Sequence, residues 1–319
     1  MSASELLAPY RALMRDERHW ELTLRLLEWS LQRTFRRQEP GAYAREAYTS
    51  STYDLYCCPP GASLEEHLLA GRLLLCIFKA DDGPTAELDA FLDTPEDVPS
   101  APTELRACHE GWLEALRREG RDTEGPRAAF REMCAWMRVE RGLDPRTVSE
   151  ARYRELRRHT IAVPAYVACW TAIRGLTLSE YAQEALRHTG LLEVAVELIY
   201  ICNDLGSLEK DAEAARKHAS GSDLNLVLLR AREMGNHPEA LRQVVALYHE
   251  RVQDFVRLRA ELAGTEHWHE HSVRDSVELL RRVTNGNLGA LRHLMAMRYP
   301  GALALLEGLP EVAPLPSVG

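Results

Sequence analysis

The chain has 319 residues, with 48 acidic against 39 basic side chains, a formal net charge of −9 and 45% hydrophobic residues. That balance argues against a broad nucleic-acid surface, which needs a basic face. The length allows one large domain or two small ones, and is enough to bury a core and still enclose a cavity.

Helical periodicity runs nearly from end to end. Between Glu5 and Arg36, Leu22, Leu26, Leu27, Trp29 and Leu31 recur as a stripe. Pro40–Gly61 reads as a loop rich in turn formers, after which Ser63 caps a helix over Ala62–Phe78. Gly83–Pro102 reads as a loop, its Asp93–Pro102 stretch as an exposed connection, with helical stripes following at Thr103–Glu119 and Pro126–Arg141 around a Gly120–Gly125 loop. Asp144-Pro145 opens a helix to His159, and Ser179–His188, Leu191–His218 and Asp223–Met234 continue the pattern. His237-Pro238 opens the stripe to Leu262, a loop covers Gly264–His271, and Val273–Met297 forms the last long stripe. No alternating strand or internal repeat appears. These elements predict a single all-α domain over 1–319, with about ten to twelve helices and a disordered tail at 308–319.

The seven cysteines show no CxxC pair, as expected of reduced, buried thiols. Charged residues interrupt the first twenty positions, so no secretory signal is expected, and no apolar run reaches the roughly 18 residues of a spanning helix. A cytoplasmic protein without stable membrane insertion is the expectation.

Two segments carry chemistry. In LLLCIFKADDGPTAELD, Asp81 and Asp82 close a helix that Gly83-Pro84 cannot continue. Carboxylates there face the negative pole of the helix dipole, which is unfavourable unless a cation offsets it. Phe78, one turn earlier and expected to be buried, would aim the pair inward. In LIYICNDLGSLEKD, Asn203, Ser207 and Asp211 recur at i, i+4 and i+8. They drift only about 80° around the helix, so three oxygen donors share a face. Such hard donors suit Mg²⁺ or Mn²⁺ rather than zinc. Their combined formal charge is only −1, so a metal held there needs a phosphate oxygen as well, and Lys210 stands beside them. Each segment taken alone reads equally as a solvated helix surface.

Together they resemble the class I bacterial terpene synthases. NDLGSLEKD is similar to the family's ND-x-x-S-x-x-(K/R)-E metal motif, and DDGPTAE to a loose form of its aspartate-rich motif. Arg157 lies 46 residues before Asn203, the spacing of the family's diphosphate-sensing arginine. SGSDLNLVLL and GNLGALRHLMAMRY, ending in Arg298-Tyr299, resemble two further family segments. The likeness covers roughly residues 60–300. It departs at Asp211, where the family has glutamate, at the missing third acid of the aspartate-rich motif, and at Ala290, where an aromatic follows GNL.

The resemblance implies an α-bundle around an apolar cavity, and a lyase that ionises a linear prenyl diphosphate, commonly the C15 farnesyl chain, and cyclises the cation. It implies three Mg²⁺ ions, with Mn²⁺ as a substitute. Their ligands would be Asp81, Asn203, Ser207 and Asp211, with Asp82 and Glu87 behind them or joining them. Arg157, Lys210, Arg298 and Tyr299 would bind the diphosphate. Phe78, Tyr166, Trp170 and Tyr200 would form cation-facing walls, though each also reads as ordinary core. The break near Thr160 and Pro164 would turn a carbonyl of Ile161 or Ala162 toward the cation. The open alternatives are a chain-elongating prenyltransferase, which carries two aspartate-rich motifs, and a helical binding protein. Chain length, product and the choice between monomer and homodimer stay open. His267, His269 and His271 read as a solvated loop, Cys57-Cys58 as a buried turn, and the amphipathic first helix as bundle packing.

Overall fold

The computed structural model describes residues 2–33, 39–94, 103–176, 179–217, 224–298 and 300–314. Its helices are α1 (Ala3–Leu7), α2 (Glu17–Leu31), α3 (Pro40–Cys57), α4 (Leu64–Asp82), α5 (Thr85–Asp93), α6 (Glu104–Arg118), α7 (Glu124–Arg141), α8 (Glu150–Thr160) and α9 (Val163–Arg174). They continue as α10 (Glu180–Thr189), α11 (Leu191–Lys217), α12 (Leu226–Met234), α13 (His237–Ala263), α14 (His271–Arg298) and α15 (Pro300–Glu307). No strand occurs among the described residues, and the fold is all-α. Contacts divide the chain into two compact units: Met1–Arg138 with Ala162–Leu176, and Val139–Ile161 with Thr177–Gly319.

In the first unit α4 is central, packed on α2, α3, α6 and α9. Ser63 and Glu66 cap it reciprocally, which fixes where the helix starts. Leu68, Leu69, Leu73 and Leu75 are buried along it, each stabilising the unit by about 1.5–3 kcal/mol. Gly71 permits the close approach of α2, since a Cβ there would lie 2.7 Å from Leu26 Cδ1.

Two stretches expected as loops are helices. α3 buries Ser50, Ser51, Thr52 and Asp54 as well as Tyr43, Ala47 and Tyr48. These polar side chains read as turn formers, yet inside the unit Ser51, Thr52 and Asp54 are paired: Ser51 with Thr23 at 2.6 Å, Thr52 with the Tyr48 carbonyl at 2.7 Å and Asp54 with the Tyr166 hydroxyl at 2.8 Å. α5 forms within the loop expected at Gly83–Pro102 because Leu88 and Phe91 pack inward.

His109 on α6 stacks on Phe130, with centroids 5.0 Å apart, and meets Phe91 edge-on at the same distance. Burial, aided by Arg131, Arg127 and Arg106, pushes its imidazole from 6.5 down to about 3. Between those values the unfolded chain takes up a proton that the folded chain refuses. The stability contributed by neutral His109 is therefore complete above pH 6.5 and is lost on acidification. About 2 kcal/mol should disappear between pH 6.5 and 5. In urea denaturation across that range, His109→Phe should flatten the slope; an identical slope in both proteins would refute the assignment.

In the second unit α11 is surrounded by α8, α12, α13, α14 and α15. Leu198, Ile199, Tyr200, Ile201 and Cys202 are all buried, so this stem is apolar around its whole circumference. α8 begins at Glu150, capped by Ser149, later than the expected start at Pro145, whose residues form a turn. The expected disordered tail is also corrected. Residues 308–314 are docked: Asn285 exchanges hydrogen bonds with Val312, 2.9 and 2.8 Å long, and Arg292 donates to the Leu309 carbonyl. Leu309 and Val312 are buried, and this burial outweighs the fraying expected of a chain end. Residues 315–319 lie outside the described residues.

Candidate active site

Asp81 and Asp82 occupy the last positions of α4 and are exposed. Gly83, extended at φ −76° and ψ 163° before Pro84, ends the helix, and the position requires glycine because a Cβ there would lie 2.2 Å from the Lys79 carbonyl. Lys79, in the last turn, is buried against Glu46 at 3.1 Å and Glu104 at 3.7 Å, and its charge opposes the negative helix pole. Phe78 is half-buried rather than buried, its ring 6.1 Å from Tyr53, because the α4 face it occupies is not fully covered. Glu87 is half-buried in the first turn of α5.

On α11 the three oxygen-bearing residues lie as the spacing predicts. Ser207 Oγ donates to Asp211 Oδ2 at 2.6 Å, bringing two donors side by side. Asn203 and Ser207 are half-buried, Asp211 is buried, and Lys210 is exposed. Neighbouring helices hold this row. Asn225, the N-cap of α12, donates through Nδ2 to Asp211 Oδ2 at 2.9 Å and to the Asp204 carbonyl at 2.8 Å, while its Oδ1 accepts from Val227 N–H. Asn287 on α14 donates to Asn203 Oδ1 at 3.2 Å.

Arg157 stands on α8, its Nη2 3.7 Å from Asp204 Oδ1. Asp204 is buried, takes the Tyr153 hydroxyl, and accepts Leu226 N–H at 2.9 Å. Burial pushes its carboxyl up to about 6, with Arg157, Tyr153 and Leu226 opposing the shift. Sequence reasoning took Asp204 as part of a motif and missed its role as the anchor of Arg157. The signal was present: an acid beside Asn203, one residue around the helix, has to face a neighbour rather than the donor row.

Between α8 and α9, Ala162 has φ 65°, the one positive value at a non-glycine among the described residues. Such a conformation costs about 1–2 kcal/mol. It breaks the helix where Pro164 predicted. The Ala162 carbonyl accepts Tyr166 N–H at 3.0 Å, whereas none of the described backbone hydrogen bonds ends on the Ile161 carbonyl. Of the aromatic candidates, Tyr166, Trp170 and Tyr200 are core residues. Tyr166 donates its hydroxyl to Asp54 at 2.8 Å, Trp170 meets Tyr166 and His67 edge-on, and Tyr200 meets Tyr153 edge-on. Arg298 ends α14, but its side chain and Tyr299 lie outside the described residues.

No group of three or more His, Cys, Asp or Glu among the described residues is arranged to hold a metal ion, so neither His267, His269 and His271 nor the cysteines form such a centre there. The α11 row is of another kind, a carboxylate with two neutral oxygens, and that chemistry fits Mg²⁺.

A family model for the terpene synthase family 2 C-terminal metal-binding region matches residues 85–254, more than half of the chain. The chain belongs to terpene synthase family 2. The matched span of this terpene synthase includes Arg157 and the whole α11 row, and begins just after Asp81 and Asp82. No curated protein matches the sequence. Among solved structures, hedycaryol synthase in complex with HEPES aligns with TM-score 0.70 at 18% identity, covering 87% of this chain and 93% of that one. Linalool/nerolidol synthase from Streptomyces clavuligerus, in complex with 2-fluorogeranyl diphosphate, aligns with TM-score 0.65 at 20% identity, covering 87% and 99%. A single-substitution variant of cucumene synthase gives 0.64 at 20%, covering 86% and 94%. At these identities the likeness establishes the fold. Family membership makes the chain a lyase-type enzyme with a metal-binding region, and no helix among the described residues is long and apolar enough to cross a membrane.

Asn225 offers a direct check of the support around α11. Asn225→Ala removes a helix cap, at about 0.5–2 kcal/mol, and the donor that orients Asp211. Melting should show a fall of that size. The Mg²⁺ concentration for half-maximal activity should rise about tenfold or more; an unchanged Mg²⁺ requirement would leave Asn225 a cap and nothing else.

Proposed function

We propose that this terpene synthase ionises an allylic prenyl diphosphate, the C15 farnesyl chain first among candidates, and cyclises the resulting cation with release of diphosphate, in the cytoplasm. The observation that carries this reading is the α11 row of oxygen donors, braced by Asn225 and Asn287, with Arg157 held beside it by Asp204. The whole chain is taken to act as one catalytic domain.

Asn203, Ser207 and Asp211 would hold one Mg²⁺, and Asp81 two more, with Asp82 and Glu87 as outer or additional ligands; Mn²⁺ is a substitute. Bound Mg²⁺ supplies charge neutralisation to the departing diphosphate, which matters most as the C–O bond lengthens. Arg157, with Lys210, Arg298 and Tyr299, donates hydrogen bonds to the phosphate oxygens, the guanidinium fork matching their geometry. The Ile161 carbonyl, left by the helix break, offers a dipole to the cation. Phe78, Tyr166, Trp170 and Tyr200 supply ring faces that attract a cation at about 0.5–2 kcal/mol each without reacting with it.

Incubating the purified protein with Mg²⁺ and, separately, the C10, C15 and C20 diphosphates should yield volatile hydrocarbons or alcohols from at least one. Longer diphosphates appearing after addition of a C5 unit would favour chain elongation instead. Inertness toward all three would remove the reading.

A further inference from the structure

Glu197 lies in the second unit, on α11, and is buried although it takes no part in the donor row of that helix. A carboxylate removed from water is costly unless charges and hydrogen bonds meet it. Three arginines do so. Arg158 on α8 donates from Nη2 to Glu197 Oε1 at 3.2 Å, Arg154 on α8 stands 3.9 Å from the same oxygen, and Arg251 on α13 stands 3.8 Å from Oε2. The Glu197 side chain is 6% exposed, which separates it from the solvated surface pairs that contribute little.

Arg154 also donates from Nε to Glu150 at 2.9 Å, and Glu150 in turn takes Arg230 of α12 at 2.8 Å. Arg251 also meets Glu250 at 2.6 Å and Asp254 at 3.1 Å. Arg158 has Glu197 as its one carboxylate partner among the described residues. Each guanidinium is answered by a carboxylate, so the cluster joins helices. Glu197 and Asp204 are seven positions apart on α11, which puts them about 20° apart around the helix and about 10 Å apart along it. α8 is therefore received at two points of one face. Tyr153 and Arg157 meet Asp204, Arg154 and Arg158 meet Glu197, and Tyr200, between the two acids in sequence, meets the Tyr153 ring edge-on at 6.1 Å. Around α8, Arg157 falls between the two attachments, about 40° from Tyr153 on one side and about 60° from Arg154 on the other. A helix fastened at one of them alone is free to roll about its axis and carry the Arg157 guanidinium with it.

We propose that Glu197 is a positioning residue for Arg157: by holding Arg154 and Arg158 it fixes the roll of α8, and so the direction in which the guanidinium fork meets a diphosphate, which rests on the reading of Arg157 as a diphosphate donor. A functional side chain has to be held within about 0.5 Å and about 10–20° of its productive geometry. A misplacement of about 1 Å costs about a hundredfold in rate. Glu197→Gln keeps the fold, because Arg154 retains Glu150, Arg251 retains Asp254, and the Arg158 side chain is 48% exposed and meets water.

The test compares the full-length parent, Glu197→Gln, Arg157→Lys and the double variant. Amide hydrogen exchange is followed without substrate, and then Mg²⁺-dependent turnover of the allylic diphosphate that the parent accepts. Exchange along α8 should quicken about tenfold in Glu197→Gln and stay unchanged in α4 and α6 of the first unit. The kcat should fall about ten- to hundredfold, with KM moving less than about threefold. In the Arg157→Lys background the same change should cost less than about threefold more, because its effect runs through a fork already gone. Unaltered exchange along α8, parental kcat with a loosened α8, or a loss that multiplies fully with that of Arg157→Lys would each overturn the proposal. If Glu197→Gln does not fold, Arg158→Gln, at a half-exposed position, goes through the same measurements and the same outcomes decide. A parent inert toward every diphosphate would refute the function itself, and with it the role toward a diphosphate, before any variant is made; exchange along α8 then decides the fastening alone.

Discussion

Asn203→Ala is expected to lower turnover of an allylic diphosphate by a factor on the order of 10²–10³ while leaving the helical fold intact. Three oxygens with a formal charge of −1 form a weak cage for a divalent ion, so losing one of them is felt strongly. The Asn203 amide already accepts from Asn287 at 3.2 Å, and its half-buried position means that truncation costs about 1 kcal/mol in stability. Circular dichroism should therefore match the parent, while the Mg²⁺ dependence shifts to higher concentration. Ordinary turnover at ordinary Mg²⁺ would exclude Asn203 from the chemistry. Asp81→Ala is expected to behave alike, and it tests whether the exposed end of α4 takes part at all.

Arg157→Lys is the second large effect, about a hundredfold in kcat with a smaller change in KM. Lysine keeps the positive charge near Asp204, so the buried carboxylate retains a partner and the melting temperature should move little. What it lacks is the planar fork that spans two phosphate oxygens at once. The contrast between Lys and Ala at this position is informative, because Arg157→Ala also strands Asp204 as a buried charge and should destabilise the second unit by several kcal/mol. A Lys variant with full kcat would place Arg157 among structural residues only.

The parts of the site legible in the sequence are those governed by local rules. Asn203, Ser207 and Asp211 share a face because helical geometry makes positions four apart neighbours, and the Ser207–Asp211 contact at 2.6 Å is that rule in coordinates. Ser63 and Gly83-Pro84 mark the ends of α4 through a cap and a proline stop, both readable without any partner. The break at Ala162 follows from Pro164.

What was misread depends on neighbours distant in the chain. α3 looked like a loop because Ser51, Thr52 and Asp54 are turn formers in water, and it is a helix because partners such as Thr23, His67 and Tyr166 satisfy them in the interior. The tail at 308–314 looked frayed because its docking partners, Asn285 and Arg292, sit on another helix.

By itself, then, the sequence determined the helical class, the register of the donor row on α11, the stops and breaks of the helices, and the family to which the chain belongs. Only the tertiary structure decided that Asp204 anchors Arg157, that Asn225 and Asn287 brace the donors, and that Phe91 and Phe130 pack on His109. The physical reason is the same in each case. Periodicity and caps act over one or two turns of backbone, whereas the burial of a polar group is settled by whichever remote side chain meets it.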